Sequence, residues 1–255
     1  MATLALVLLG LPVGFLIGLV GIGGVLLAPL LVLLTGRDIH AAVALSLASF
    51  VAAGLVAVAT SRTANAPLRG GDGWLLGALV PGALAGSLVS PLIPTLALSV
   101  IISLCVLFAG ISCLRIAPRG SGATQFRVTG LAVMGLLCGL ISAVSGTGGP
   151  LILVPLLLWS GMEVRRTLAV SQIAQLPIAA TATLANGFTG TLDFAAAAVL
   201  SVGVVIAMVA GLWVGRRMDT DRLRRTVAWC LVLAGAALVA KDLWVITQAA
   251  TQAGT

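Results

Sequence analysis

The chain has 255 residues, of which 60% are hydrophobic and 8% are charged, and its mean hydropathy is +1.21. So few polar side chains cannot cover a soluble globule, and the composition therefore predicts an all-α polytopic membrane protein, one transmembrane domain over residues 1–255 in a lipid bilayer. The net charge of +7 could indicate nucleic acid, but the basic residues lie between apolar segments, where membrane topology accounts for them. We expect no nucleic-acid partner.

Eight apolar segments follow one another along the chain, and a membrane-spanning helix needs about 20 such residues. They cover residues 4–34, 41–59, 74–89, 96–114, 128–159, 168–184, 194–214 and 226–246. The sequence lacks the H-E-x-x-H motif, paired intramembrane aspartates and a Ser/His pair at depth, and its four cysteines lack metal-binding spacing. We therefore expect no enzymatic activity, no metal and no cofactor.

The first segment carries a glycine cluster, Gly21, Gly23 and Gly24, at its middle. Glycines break a helix and free backbone N–H and C=O groups, which at membrane depth are tolerated only where they are buried in protein or line a cavity. As one helix the segment would measure about 46 Å, too long for one upright crossing and too short for two. We predict a re-entrant hairpin of two half-helices.

The fifth segment repeats this pattern with Gly146, Gly148 and Gly149, at a constant offset of 125 positions. Other glycines align at the same offset without a gap, which indicates an internal duplication. We place the first repeat at residues 1–116 and the second at 126–247, each with one broken segment and three spans. Paired broken segments in matching halves point to a transport site.

The positions of the basic residues bear on how the two halves are oriented. If every segment crosses once, the basic residues divide six to eight between the two faces. If segments one and five turn back, Arg37 and Lys241 fall on one face and the other twelve on the opposite face. Because positive residues concentrate in cytoplasmic loops, this favours inverted halves with both termini outside. A kinked single crossing at each broken segment is the alternative.

A helix resumes after each glycine cluster, so its N-terminus is expected to face the centre of the membrane. Unpaired N–H groups and the helix dipole favour an anion there. No Lys or Arg falls in the central part of any segment, so backbone and neutral side chains would hold it. The predicted substrate-binding residues are Gly21, Gly23, Gly24, Ser46, Ser145, Gly146, Thr147, Gly148, Gly149, Ser171, Gln172 and Gln175. For the Ser, Thr and Gln side chains, hydrogen bonding between helices is the alternative.

Carboxylates are expected only near the ends of segments. Asp38 and Asp193 each precede a segment, where an aspartate favours the start of a helix. No carboxylate is expected deep in any segment, so proton or sodium coupling has no visible carrier.

The chain resembles the TauE/SafE sulfite exporters, the TSUP family of transporters of small anions and organosulfur compounds. The resemblance rests on residues 18–24, GLVGIGG, followed by Pro29, and on residues 139–149, GLISAVSGTGG, followed by Pro155. It implies a multi-pass carrier in the bacterial inner membrane for sulfite, an organosulfonate or a related anion, in either direction.

Export is the expected direction, because outward movement of one negative charge is favoured by about 2.3 kcal/mol per 100 mV when the interior is negative. A passive anion channel and an uptake carrier for another small anion are the alternatives. The sequence leaves open whether the chain forms a homo-oligomer.

Overall fold

A computed structural model describes residues 2–20, 23–63, 71–115, 128–160, 162–188, 190 and 192–253. The described residues are 91% helical and contain no strand. Five helices are long and apolar enough to cross a membrane. The prediction of an all-helical polytopic membrane protein is confirmed.

Ten α-helices form the described chain. They are α1 (Ala2–Val20), α2 (Leu27–Thr35), α3 (Ile39–Thr63), α4 (Asp72–Val89), α5 (Thr95–Arg115), α6 (Val128–Ser145), α7 (Pro150–Trp159), α8 (Val164–Phe188), α9 (Phe194–Arg217) and α10 (Thr220–Ala253). Short 3₁₀ turns, Gly23–Leu26 and Ser90–Leu92, precede α2 and follow α4. Among the five long apolar helices, α3 and α8 are the most buried, so they form the centre of the bundle.

Both glycine clusters interrupt a helix. The helix α6 ends at Ser145, and Gly146, Gly148 and Gly149 follow with φ of 69°, 73° and 116°. Residues with a Cβ rarely adopt these values, so the chain can turn here only because these positions are glycine. The next helix, α7, begins at Pro150, where the missing N–H of proline is not needed.

Two pairs of parallel helices pack through glycines. In α1, Gly10 lies against Leu200 and Val204 of α9, and Gly18 lies against Met208. Sequence numbers rise together along the contact, so α1 and α9 run parallel. A Cβ on the intervening Gly14 would lie 2.2 Å from the Val204 carbonyl oxygen, and the two backbones therefore touch.

The second half of the chain repeats this packing. Gly135 of α6 lies against Leu75 of α4, and Gly139 lies against Leu79, so α6 and α4 are also parallel. These two glycines are the equivalents of Gly10 and Gly14 at the offset of 125 positions. The helix before each break thus packs on a helix from the other half.

Three polar contacts fix the directions of further helices. Arg37 and Asp193 pair where α3 and α9 begin, and Arg216 donates to the Thr60 carbonyl oxygen where they end. The helices α3 and α9 are therefore parallel. Arg166 pairs with Asp72 near the starts of α8 and α4, which indicates that these two helices also begin at the same face.

The helices α5 and α10 run in opposite directions. Asp242 accepts hydrogen bonds from Ser99 and Ser103 near the start of α5, whereas Gly235 lies against Leu107 further along that helix. Sequence numbers fall in α10 as they rise in α5, so the pair is antiparallel.

Candidate functional site

The two glycine breaks touch each other in the interior. A Cβ built on Gly24 would lie 2.9 Å from the carbonyl oxygen of Thr147 and 3.0 Å from Cζ of Phe50. Such distances are shorter than real Cβ contacts, so the first break packs directly on the backbone of the second. Of the other predicted residues in the first break, Gly23 opens the 3₁₀ turn, and Gly21 lies outside the described residues.

The central helices enclose the second break. A Cβ on Gly148 would lie 2.8 Å from Cδ2 of Phe50 in α3 and 3.2 Å from Nε2 of Gln175 in α8. A Cβ on Gly149 would lie 2.7 Å from Cδ1 of Ile178, also in α8. Every residue from 142 to 150 is buried. The backbone groups that the break leaves outside a helix are thus enclosed by protein. Such groups are tolerated within a membrane only where protein buries them or where they line a cavity.

Polar groups of the second break bond to one another at the start of α7. Ser145 Oγ lies 2.9 Å from Thr147 Oγ1, and the Thr147 N–H donates to the Ser142 carbonyl oxygen over 3.2 Å. The first N–H groups of α7 have no acceptor within their own helix. This end of the helix therefore offers unpaired donors and a partial positive charge to an anion.

Gln172 and Gln175, predicted as a pair, have different surroundings. Gln172 Nε2 donates to the Ile17 carbonyl oxygen over 3.1 Å. This bond joins α8 to the last described turn of α1. The structure favours the interhelical alternative for this residue.

Gln175 and Ser171 point to a site that protein alone does not fill. Gln175 is 1% exposed and Ser171 is 0% exposed. Within the described part of the chain, Gln175 Oε1, Ser171 Oγ and Ser142 Oγ have no hydrogen-bond partner. Buried polar atoms are almost always satisfied, so these atoms need a water or a ligand.

Ser46 of α3, the equivalent of Ser171, is differently placed. Its hydroxyl donates to the Ala42 carbonyl oxygen over 2.8 Å, within its own helix. Ser49 likewise donates to the Ser46 carbonyl oxygen. Among the described contacts, no hydrogen bond joins Ser46 to a break.

Sequence reasoning missed Phe50 as a site residue. Its ring is fully buried and would meet a Cβ on either Gly24 or Gly148, so it lies between the two breaks. Phe50 aligns with Gln175 at the offset of 125 positions, and this alignment was the available signal. Gly148 therefore has both an aromatic ring and an amide beside it.

A family model described as sulfite exporter TauE/SafE matches residues 6–238. The chain belongs to the TauE/SafE family. The expected resemblance is confirmed, and because this is a transporter family, the expectation of a protein that is not an enzyme is consistent with it. No curated protein and no solved structure matches the chain.

Two ion pairs join the halves of this TauE/SafE protein at its rims. Arg37 lies 3.0 Å from Asp193, and Arg166 lies 2.9 Å from Asp72. Asp193 also accepts a hydrogen bond from the Ala196 N–H, so its predicted capping role is confirmed. The Ala196 N–H, followed by the Arg37 guanidinium, lowers the pKa of the Asp193 carboxyl below its usual 3.8.

Sequence reasoning did not single out one carboxylate. Asp242 lies near the end of the eighth apolar segment, in α10, and is 5% exposed, so the fold of this TauE/SafE protein encloses an acid. Its hydrogen-bonding partners, Ser99 and Ser103, lie 143 and 139 positions away in the chain. Spacing along the sequence could not reveal them.

Proposed function

We propose that this protein exports a small sulfur-containing anion, sulfite or an organosulfonate, across the bacterial inner membrane. The anion is held near the midplane where the two glycine breaks meet. Membership of the TauE/SafE family supports the substrate class. The contact between Gly24 and the Thr147 carbonyl oxygen is the observation that carries the site, because it joins the two broken segments at one point.

We further propose that the first segment, residues 4–34, is a re-entrant hairpin. The helix before its break, α1, runs parallel to α9, and the helix after the segment, α3, also runs parallel to α9. A segment that crossed once would leave α1 and α3 antiparallel. Their common direction therefore supports a chain that returns to the face it entered from.

The same argument applies to the segment at residues 128–159. Its first helix, α6, runs parallel to α4, and α8 begins at the same end as α4, where Arg166 pairs with Asp72. The antiparallel pairing of α5 and α10 agrees, because single crossings throughout would make these two helices parallel. The halves are inverted, with twelve basic residues inside and two outside.

The inverted hairpins bring one half-helix from each face to the same place. The start of α7 comes from the cytoplasmic hairpin, and the 3₁₀ turn before α2 comes from the outer one. Each helix N-terminus stabilises a negative charge by about 0.3–1 kcal/mol at exposed sites and up to about 2 kcal/mol where partly buried. No Lys or Arg lies in the central part of any segment to strengthen this modest attraction. The anion can therefore be released as well as bound.

Neutral polar side chains complete the site and select the anion. The amide of Gln175 lies beside Gly148 and can donate to a sulfite or sulfonate oxygen. Ser145 and Thr147 add hydroxyl donors from the break itself. The ring of Phe50 lies beside both Gly24 and Gly148 and adds an apolar contact.

Reconstituted protein tests this proposal. Liposomes loaded with ³⁵S-sulfite should show saturable efflux with the wild-type chain, and Gly24→Leu and Gly149→Leu should abolish it. Efflux is compared per amount of inserted, monodisperse protein. Gly77→Leu is the matched control, because a Cβ on Gly77 of α4 meets nothing within 4 Å. Unchanged efflux in both break variants would refute the site, and efflux that never saturates would identify a channel.

A further inference from the structure

Asp242 is an enclosed acid with two hydroxyl partners. Its side chain is part of α10, is 5% exposed, and accepts 2.6 Å hydrogen bonds from Ser99 Oγ at Oδ1 and from Ser103 Oγ at Oδ2. Each carboxylate oxygen therefore has one donor from α5. The anion site at the glycine breaks does not use this group.

The carboxylate has no cationic partner in the described structure. Neither of the two ion pairs found there involves Asp242, and no Lys, Arg or His nitrogen of the described residues lies within 4.0 Å of it. An enclosed charge without an opposite charge has a high free energy. A proton on the carboxyl group would remove that charge.

Ser103 allows both forms to be fully hydrogen-bonded. Besides Asp242 Oδ2, its hydroxyl lies 3.0 Å from the Ser99 carbonyl oxygen, a second acceptor. When Asp242 is ionised, Ser103 donates to it. When Asp242 is protonated, its O–H donates to Ser103 Oγ and the Ser103 hydrogen turns to the Ser99 carbonyl. A proton can therefore bind and leave without depriving a buried polar atom of its hydrogen-bond partner.

A small cavity connects this cluster with the first broken segment. It measures about 10 Å³, enough for one water molecule. Its lining includes Ser99, Ser103 and Lys241 on one side and Ala28, Pro29 and Val32 of α2 on the other. The cavity thus places the two serines that bond to Asp242 beside α2, the helix after the first break.

Few other charged groups face the cluster. Among the described residues, Lys241 is the only charged residue lining the cavity, and Arg37, Asp38 and His40 flank Ile39, which also lines it. Arg37 is paired with Asp193. The helix α1 and the first twenty residues of α5 carry no charged residue.

We propose that Asp242, Ser99 and Ser103 form a reversible proton-binding site. This site controls α2, the helix that follows the first break. In this step the carboxylate gains a proton from water at the outer face, and no other bond forms or breaks. Proton binding stands on the cluster itself, whereas its effect on anion flux, and the outer location of the cluster, rest on the proposed function and topology.

Infrared difference spectroscopy on the purified protein tests proton binding without any transported anion. Lowering the pH should produce the C=O stretching band of a protonated carboxyl that is absent from Asp242→Asn and retained in Asp219→Asn, a control at an exposed acid. Ser103→Ala removes one of the two hydroxyl partners of the carboxyl group, so the frequency of the band should shift. No such band in the wild type, or the same band in Asp242→Asn, would overturn the proposal.

Flux measurements test the coupling. Efflux of an organosulfonate, which stays ionised throughout, is followed while the external pH varies at fixed internal pH and clamped membrane potential. The wild-type rate should change several-fold, and the Asp242→Asn rate should stay constant. A variant that responds like the wild type would overturn the coupling, as would a response to external sodium at constant pH in place of the response to pH. A wild type with the infrared band but without flux would refute the proposed function instead.

Discussion

Arg37 and Asp193 are 156 positions apart in the sequence, yet the Arg37 guanidinium lies 3.0 Å from Asp193 Oδ2. Opposite faces of the hydrocarbon core are about 30 Å apart, so the loops that carry these residues lie on one face. Arg166 and Asp72 make the corresponding contact for the other half. These two ion pairs underlie the proposed inversion of the halves.

The Arg37–Asp193 contact predicts a defined dependence of stability on pH. The pKa of Asp193 is lower in the folded protein than in the unfolded chain, so its contribution is complete above the unfolded value of about 3.8 and is lost as pH falls through the folded value. Asp193→Ala should cost about 0.5–2 kcal/mol at neutral pH, as for other helix caps. Thermal unfolding of both proteins across pH checks this, and a difference that grows in acid would be inconsistent with it.

Substitutions of Gln172 and Gln175 should have different effects, the first on stability and the second on substrate binding. Gln172→Leu removes the side-chain donor to the buried Ile17 carbonyl oxygen and should reduce stability by about 0.5–1.5 kcal/mol. Gln175→Leu removes an amide whose Oε1 has no partner among the described residues, so stability should hold while the KM for sulfite rises. Thermal unfolding and initial efflux rates on the same preparations measure both effects. Equal KM values for Gln175→Leu and the wild type would remove Gln175 from the site.

The glycine contact between α1 and α9 should tolerate no side chain. In Gly14→Ala the new Cβ would lie 2.2 Å from a backbone carbonyl, which no rotamer change can relieve, so insertion or thermal stability should fall sharply. The helical control, Gly77→Ala, meets nothing within 4 Å and should be neutral or stabilising by about 0.5–1 kcal/mol. Equal stability of the two variants would show that α1 and α9 do not pack through these backbones.

Much of the local structure could be predicted from the sequence because glycine has local consequences. Gly146, Gly148 and Gly149 end one helix and permit the next to start at Pro150, as the pattern indicates. Hydropathy likewise predicts where helices lie. Both signals depend only on neighbours in the chain.

Contacts between distant segments could not be predicted in the same way. The bond from Gln172 to Ile17 joins residues 155 positions apart, and it gives Gln172 a different environment from Gln175 on the same helix. Phe50 looks like an ordinary core residue until the packing puts it between two breaks. Asp242 lies near the end of its segment, and only its packing on α5 encloses it.

Accessibility at the two ends of each broken segment tests the central claim most directly. Single cysteines replace Leu4, Thr35, Val128 and Glu163, all exposed, in a chain without its native cysteines, and a membrane-impermeant maleimide is applied to right-side-out and inverted vesicles. The account predicts that positions 4 and 35 react only from outside and that 128 and 163 react only from the cytoplasmic face. Reaction of the two ends of either segment from opposite faces would contradict it.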